Sequence, residues 1–207
     1  LTDNKFHKHY ALQSSVSSSS TMKLSIKGES EILGNAFLVS SNVKHQLISN
    51  VSQLTILINP LSSIGHQLYL KFGQSNFSIL DEALSTKLIR QVKKLERKEF
   101  KFGHLPDLIA QILSEYKCSC EAENHLKEDR IVRAIKYMDA NFEKILSLEE
   151  VSAQCFLSPS RFLHLFKEKT NLNFRRYQLW NKVVKSLPYL LKNSITETAY
   201  TFGFSDS

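Results

Sequence analysis

Histidine supplies the first residues of this chain whose spacing suggests chemistry. His7 and His9, in HKHYALQ, are two positions apart. Successive strand side chains point to opposite faces, so an extended backbone puts both imidazoles on one face. Two imidazoles and a third from elsewhere, such as His45, are a donor set for a divalent metal. Three cysteines, Cys118, Cys120 and Cys155, are the other soft ligands. Their odd count matches neither a zinc ribbon nor a secreted disulfide framework, and Cys118 with Cys120 alone gives too few ligands for a metal. The third signal is electrostatic. Arg161, Lys167, Lys169, Arg175, Arg176, Lys182, Lys185 and Lys192 face a single acid, Glu168, so this one stretch accounts for the net charge of +7. Basicity concentrated on helices is the footprint expected of a phosphate-backbone binder.

Elements must hold these groups in place. From 1 to about 80 the chain alternates and is rich in Val, Ile, Ser and Thr, with turns at KGES, SSNV and NPLSS, which reads as short β-strands. From 81 the period becomes helical. Leu84, Leu88, Val92 and Leu95 line one helix, and Leu105, Leu108, Ile109, Ile112 and Tyr116 line a second that begins around Pro106. KCSCEAENH is polar and aperiodic, which marks a linker over 118–126 between a region 1–117 and a region 127–207. No apolar run approaches the length that spans a bilayer, and the N-terminus lacks the pattern of a secretion signal, so a cytoplasmic protein with no membrane partner is expected. The first residue is Leu, which fits a fragment.

Beyond the linker, Ile131, Ile135, Met138 and Phe142 form an apolar stripe. SLEEVSAQCFLSPS, from Ser147, then matches SITETAYTFGFSDS, from Ser194, without a gap. Ser147 pairs with Ser194, Glu150 with Glu197, Leu157 with Phe204, Ser158 with Ser205 and Ser160 with Ser207. Each copy is expected to open with a capping box, the Ser hydroxyl on the N3 amide and the Glu on the Ser amide. After the first copy, Ser158 as N-cap and Pro159 as N1 start a helix to Lys169. Phe162, Leu165 and Phe166 share its inner side, while Ser160, His164 and Lys167 project outward with Arg161 and Leu163 on the flanks. Two short helices, the second polar and basic outside, make a helix-turn-helix of the kind that reads a major groove.

These residues resemble the AraC/XylS family of bacterial transcription activators. The resemblance covers about 127–207 and is carried by SLEEVSAQCFLSPSRFLHLFKEKTNLNFRRYQLW, the helix after it and the terminal AYTFGFSDS. It implies an all-α DNA-binding domain of two helix-turn-helix units, the second incomplete, since the sequence stops where the second reading helix is expected. It implies Ser160, Leu163 and His164 as base-reading positions, with promoter DNA, RNA polymerase and a second copy of the chain as partners. Arg161, Lys167, Lys169, Arg175, Arg176 and Lys182 suit phosphates. Phe156 and Asn171 stand where the family usually has Gly, so a positive φ at Phe156 would cost about 1 kcal/mol or more. Pro188 interrupts the linking helix, whose expected face is Tyr177, Trp180, Val184, Leu187 and Leu191, and a kink is expected there.

The front region resembles a cupin barrel, whose metal motif has His-x-His, a Glu a few residues on, and a second stretch with Gly and then His. His7, His9, Gly34 and His45 match; Gln13 replaces the Glu, and Ser40 and Asn42 replace Pro and Gly. The combined expectation is an α+β chain with a partial N-terminal cupin-like barrel, the effector or metal pocket at His7, His9, Gln13 and His45, and a dimer stripe at Leu84, Leu88, Val92 and Leu95. Its function is then that of an effector-responsive DNA-binding regulator, not an enzyme, with no cofactor beyond a divalent metal at the histidines. The alternatives are a metal-dependent cupin enzyme and an interaction module that does not bind DNA.

Overall fold

The structure, a computed structural model, describes the chain except residues 1, 4, 20, 21, 30, 74, 121–125 and 205–207, with residues 2 and 3 described in backbone only. It divides into two compact units, Leu1–His125 and Leu126–Ser207.

The first unit holds eight strands: β1 (Thr2–Asp3), β2 (Leu12–Ser17), β3 (Met22–Ile26), β4 (Ile32–Gly34), β5 (Ala36–Val39), β6 (His45–Ser49), β7 (Gln53–Ile58) and β8 (Phe77–Ile79). They pair antiparallel in two four-stranded sheets, β1-β6-β3-β4 and β7-β2-β5-β8. The described strands form no closed barrel. β2 explains why its polar sequence LQSSVS is buried along its whole length. One face sends Leu12 and Val16, with Ala36 and Leu38 of β5, into a core shared with helices. The opposite face of β5 sends Phe37 and Val39 to meet Met22, Leu24, Ile26 and Leu47 of the other sheet.

Three helices complete the unit: α1 (Ser63–Phe72), α2 (Glu82–Glu96) and, after a 3₁₀ turn at Phe102–His104, α3 (Leu105–Ser114). α1 lies inside the region read as strands. Its start is marked by Ser62, whose hydroxyl accepts from the Gly65 amide at 3.0 Å. At Gly65 the helix approaches the preceding turn so closely that a Cβ would stand 2.0 Å from the Asn59 carbonyl oxygen, so only glycine fits. The stripe assigned to a dimer is corrected. Leu84, Leu88 and Val92 are buried in the unit's own core with Leu95 packed beside them. They cover β2 and α3, each at about 1.5–3 kcal/mol for full burial, so these side chains are not exposed for a second copy. In α3, Leu105, Ile109 and Leu113 are buried, and Ile112 and Tyr116 pack at the edge.

The second unit is helical: α4 (Asp129–Ala140), α5 (Leu148–Gln154), α6 (Pro159–Thr170), α7 (Phe174–Leu190) and α8 (Ile195–Thr201). The duplication read in the sequence is present in the backbone. α5 and α8 have equal length and begin after capping serines, Ser147 and Ser194. Two residues past the end of each stands one with positive φ, 54° at Phe156 and 59° at Gly203. The next amide then reaches back to the matching carbonyl, Leu157 to Ser152 at 3.1 Å and Phe204 to Ala199 at 2.8 Å. The matched residues Ser205 and Ser207 lie outside the described residues. Only α8 has the complete capping box. In α5 the Glu150 carboxylate turns away and accepts instead from Tyr137 Oη at 2.6 Å and Lys144 Nζ at 3.3 Å.

The expected face of α7 holds as far as Val184. Tyr177 is buried and Trp180 and Val184 are half-buried, but Leu187 and Leu191 are 47% and 82% exposed. The inward line is Phe174, Tyr177, Asn181, Lys182 and Ser186. Pro188 sits in the last turn, two residues before the helix ends, so its missing amide removes one late bond and no long segment follows it to be redirected. Among the described residues no helix is long and apolar enough to cross a membrane.

Candidate functional site

Two groups of functional side chains stand in separate units. In the second unit, α6 is framed by its sequence. Ser158 accepts from the Arg161 amide at 3.4 Å, Pro159 opens the first turn, and Asn171 ends the helix in the left-handed region at φ 55°. Its inner side is fixed by aromatic contacts. The Phe162 ring lies 5.3 Å from Phe166 and 5.5 Å from Phe174, and Phe166 meets Tyr177 edge-on at 5.4 Å. This cluster sets the rotation of α6, and so decides what faces outward.

Ser160, Arg161, Leu163, His164 and Lys167 are all exposed. Arg175 and Arg176, in the first turn of α7, are exposed as well. Among the described residues no ion pair engages Arg161, Lys167, Arg175 or Arg176. Lys169 differs, being half-buried with Nζ 3.1 Å from Glu168. Lys182 is a correction to the phosphate set. It is 7% exposed, and its ammonium donates to the Gly203 carbonyl at 3.2 Å and lies 5.6 Å from the Phe204 ring centroid. It caps the second turn instead of facing solvent. Beside α6 runs an open groove of about 1050 Å³ whose lining includes Leu163, Asn173, Arg175, Arg176 and Lys144.

In the first unit the structure brings His7, His9, His45 and Gln13 together. His7 and His45 exchange backbone hydrogen bonds at 3.0 and 2.9 Å, an isolated bridge that brings HKHY beside β6. One ligand atom from each histidine lies within 4.8 Å of the others. Each Nδ1 meets a backbone carbonyl, His7 with Lys5 at 2.9 Å, His9 with Ala11 at 3.0 Å and His45 with Val43 at 3.0 Å. Carbonyls only accept, so Nδ1 carries the proton and Nε2 presents a lone pair. The Nε2 atoms of His9 and His45 then point at Gln13 Oε1, at 2.8 and 3.2 Å. Gln13 Nε2 donates to Ser15 Oγ at 3.1 Å, which holds the amide oxygen toward the imidazoles. Acceptors therefore converge on acceptors. A turned Gln13 amide, donating Nε2 to the two imidazoles and accepting from the Ser15 hydroxyl, relieves this, and so does a cation among the Nε2 lone pairs. Burial is the largest influence on His45 and pushes its pKa below the ordinary value; the Val43 carbonyl opposes this and the His7 and His9 rings add to it. A second proton on His45 is thus disfavoured, and the imidazole lone pairs are a donor set that a divalent metal fits. Ser15 is the residue that sequence reasoning missed here. It shares the inner face of β2 with Gln13 by simple alternation and hydrogen-bonds the amide.

No family profile matches the chain. The probable transcriptional regulator LumQ of Photobacterium leiognathi is 25% identical over 97% of this chain and 83% of its own length. The Msm operon regulatory protein of Streptococcus mutans is 29% identical over 51% of this chain and 39% of its length. The regulatory protein PocR of Salmonella typhimurium is 29% identical over 39% of this chain and 27% of its length. Among solved structures, ToxT of Vibrio cholerae O395 superposes with a TM-score of 0.55 over 99% of this chain and 84% of ToxT, at 12% identity. That likeness is one of fold.

Proposed function

We propose that this chain is a transcriptional regulator of the AraC family, which binds double-stranded DNA through the outer face of α6 and receives its effector at the histidine pocket of its first unit. The observation that carries the DNA reading is the division of α6: Phe162, Leu165 and Phe166 are buried, while Ser160, Arg161, Leu163, His164 and Lys167 are exposed. A helix held this way after a tight turn offers its outer side chains to base edges in a major groove. Ser160 and His164 have the donors and acceptors to discriminate bases, and Leu163 has only apolar contact to give to a thymine methyl. Arg161 and Lys167, with Arg175 and Arg176 across the groove, supply phosphate contacts that position the helix without reading sequence. The names of the three relatives, all regulators, support this reading.

Selection of bound duplexes from a random pool tests the base-reading assignment. The wild-type chain is expected to enrich a motif, and Ser160→Ala with His164→Ala is expected to flatten the preference while total DNA affinity changes little. An unchanged motif contradicts the assignment.

For the sensor, ToxT supplies a contrast. It has been crystallised with an unsaturated fatty acid bound, in a structure that matches this chain with a TM-score of 0.51. Here the apolar part of the space between the sheets is filled by Met22, Leu24, Ile26, Phe37, Val39 and Leu47. The polar end, at His7, His9, His45 and Gln13, is the better place for an effector, and a divalent metal suits it. The metal would fix the three rings and the amide as one unit, and effector occupancy would shift the population of DNA-competent molecules. The metal content of the purified chain is expected to fall by about one equivalent in His9→Ala with His45→Ala. Equal metal content in the double variant removes the metal reading.

A further inference from the structure

Three side chains of the first unit that take no part in the histidine pocket also meet. Cys118 and Cys120 follow α3, and His66 lies in the first half of α1. The backbone brings them together, since the Cys118 amide donates to the Ser63 carbonyl at 3.3 Å. Cys120 Sγ is 3.3 Å from His66 Nδ1, and Cys118 Sγ is 3.6 Å from Ser63 Oγ. One ligand atom each of His66, Cys118 and Cys120 lies within 4.8 Å of the others. Around a tetrahedral zinc ion, sulfur and nitrogen ligands stand about 3.5–3.8 Å apart. The three atoms therefore reach that spacing by side-chain rotation, with the backbone as it is. His66 is the ligand that neither the cysteine count nor their spacing could reveal, because it is 52 residues upstream of Cys118.

We infer that Cys118, Cys120 and His66 form a binding site for Zn²⁺, with two thiolates and one imidazole as protein ligands and the fourth position open. The surroundings suit a thiolate. The site lies beside the N-terminal turn of α1, the positive end of the helix dipole, and Ser63 adds a hydroxyl near Cys118. Cys118 is half-buried and Cys120 exposed, so an ion has access. Once bound, the ion would fasten the segment after α3 to α1. The site is independent of the DNA reading and stands or falls separately.

The test uses the full chain, stripped with a chelator and titrated with Co²⁺ and then Zn²⁺. One equivalent of Co²⁺ is expected to give a sulfur-to-metal charge-transfer band that Zn²⁺ displaces. The band should vanish in Cys118→Ser with Cys120→Ser, weaken in His66→Ala, and persist in His9→Ala with His45→Ala. Ser63→Ala is expected to lower affinity by roughly tenfold. As a check that needs no variant, Zn²⁺ should slow alkylation of Cys118 and Cys120 in the wild-type chain. Cobalt bound without a thiolate band in His9→Ala with His45→Ala, a band unaffected by the cysteine changes, or alkylation rates indifferent to Zn²⁺ would overturn the site.

Discussion

Phe156 shows what a single residue contributes when it stands in a place that favours glycine. Its φ of 54° lies in the left-handed region, while the matching turn of the second copy has Gly203 at 59°. A side chain there costs about 1–2 kcal/mol. The Phe156 ring is 85% exposed and lies under the Arg133 guanidinium, 5.5 Å from centroid to carbon. An exposed cation–π contact returns about 0.5–1 kcal/mol, which does not offset the strain in full. Phe156→Gly is therefore expected to stabilise the second unit, by up to about 1 kcal/mol after the greater chain entropy of glycine is counted. The fluorescence of Trp180, the only tryptophan, reports the change as a higher urea midpoint; a lower midpoint would mean that the Arg133 contact outweighs the strain. Lys182 makes the complementary point. Charge counting groups it with the phosphate contacts, yet its burial against Gly203 and Phe204 makes it a cap for the second turn.

At the scale of elements, periodicity tells which side of a helix is apolar but not what covers it. The α6 boundaries and inner face are legible because Ser158, Pro159 and the Phe162, Leu165, Phe166 set are local signals, and the aromatic partners Phe174 and Tyr177 follow closely. The α2 stripe was equally legible as a stripe. Its partner, the β2 face bearing Leu12 and Val16, lies about 70 residues away in sequence and leaves no local mark. α1 was hidden because NPLSS signals a turn and the residues after it are apolar enough for a strand; Ser62 as N-cap and Leu68 facing inward were the available clues. The histidine site was legible as a set of ligands, while Ser15 and the carbonyl partners that fix its tautomers come from tertiary placement. Phe162→Ala tests the element-level account. Removing a fully buried ring from the contact of α6 with α7 is expected to cost about 3–5 kcal/mol, read as loss of cooperative unfolding at Trp180 under mild denaturant. A cost below about 1 kcal/mol would show that the cluster does not set the orientation of α6.

Across the whole molecule, two units have separate cores. The first brings the three imidazoles and Gln13 together, and the second exposes the basic face of α6. The stretch from Arg161 to Lys192 matches the net charge of +7, and with Lys182 buried its exposed cations are Arg161, Lys167, Arg175, Arg176, Lys185 and Lys192. Phosphate neutralisation releases counterions, so DNA affinity must fall linearly in log units with salt, by a slope of roughly 0.9 per contacted phosphate. The most direct measurement is duplex affinity across a range of salt concentrations, for the wild-type chain, for Arg161→Glu with Lys167→Glu, and for Lys93→Glu with Lys101→Glu as a control of equal charge on exposed residues of the first unit. The expected result is a marked loss of affinity and a slope reduced by about two for the α6 variant, with the control close to wild type. Equal affinity and slope in all three proteins would contradict the assignment of α6 as the DNA-binding surface.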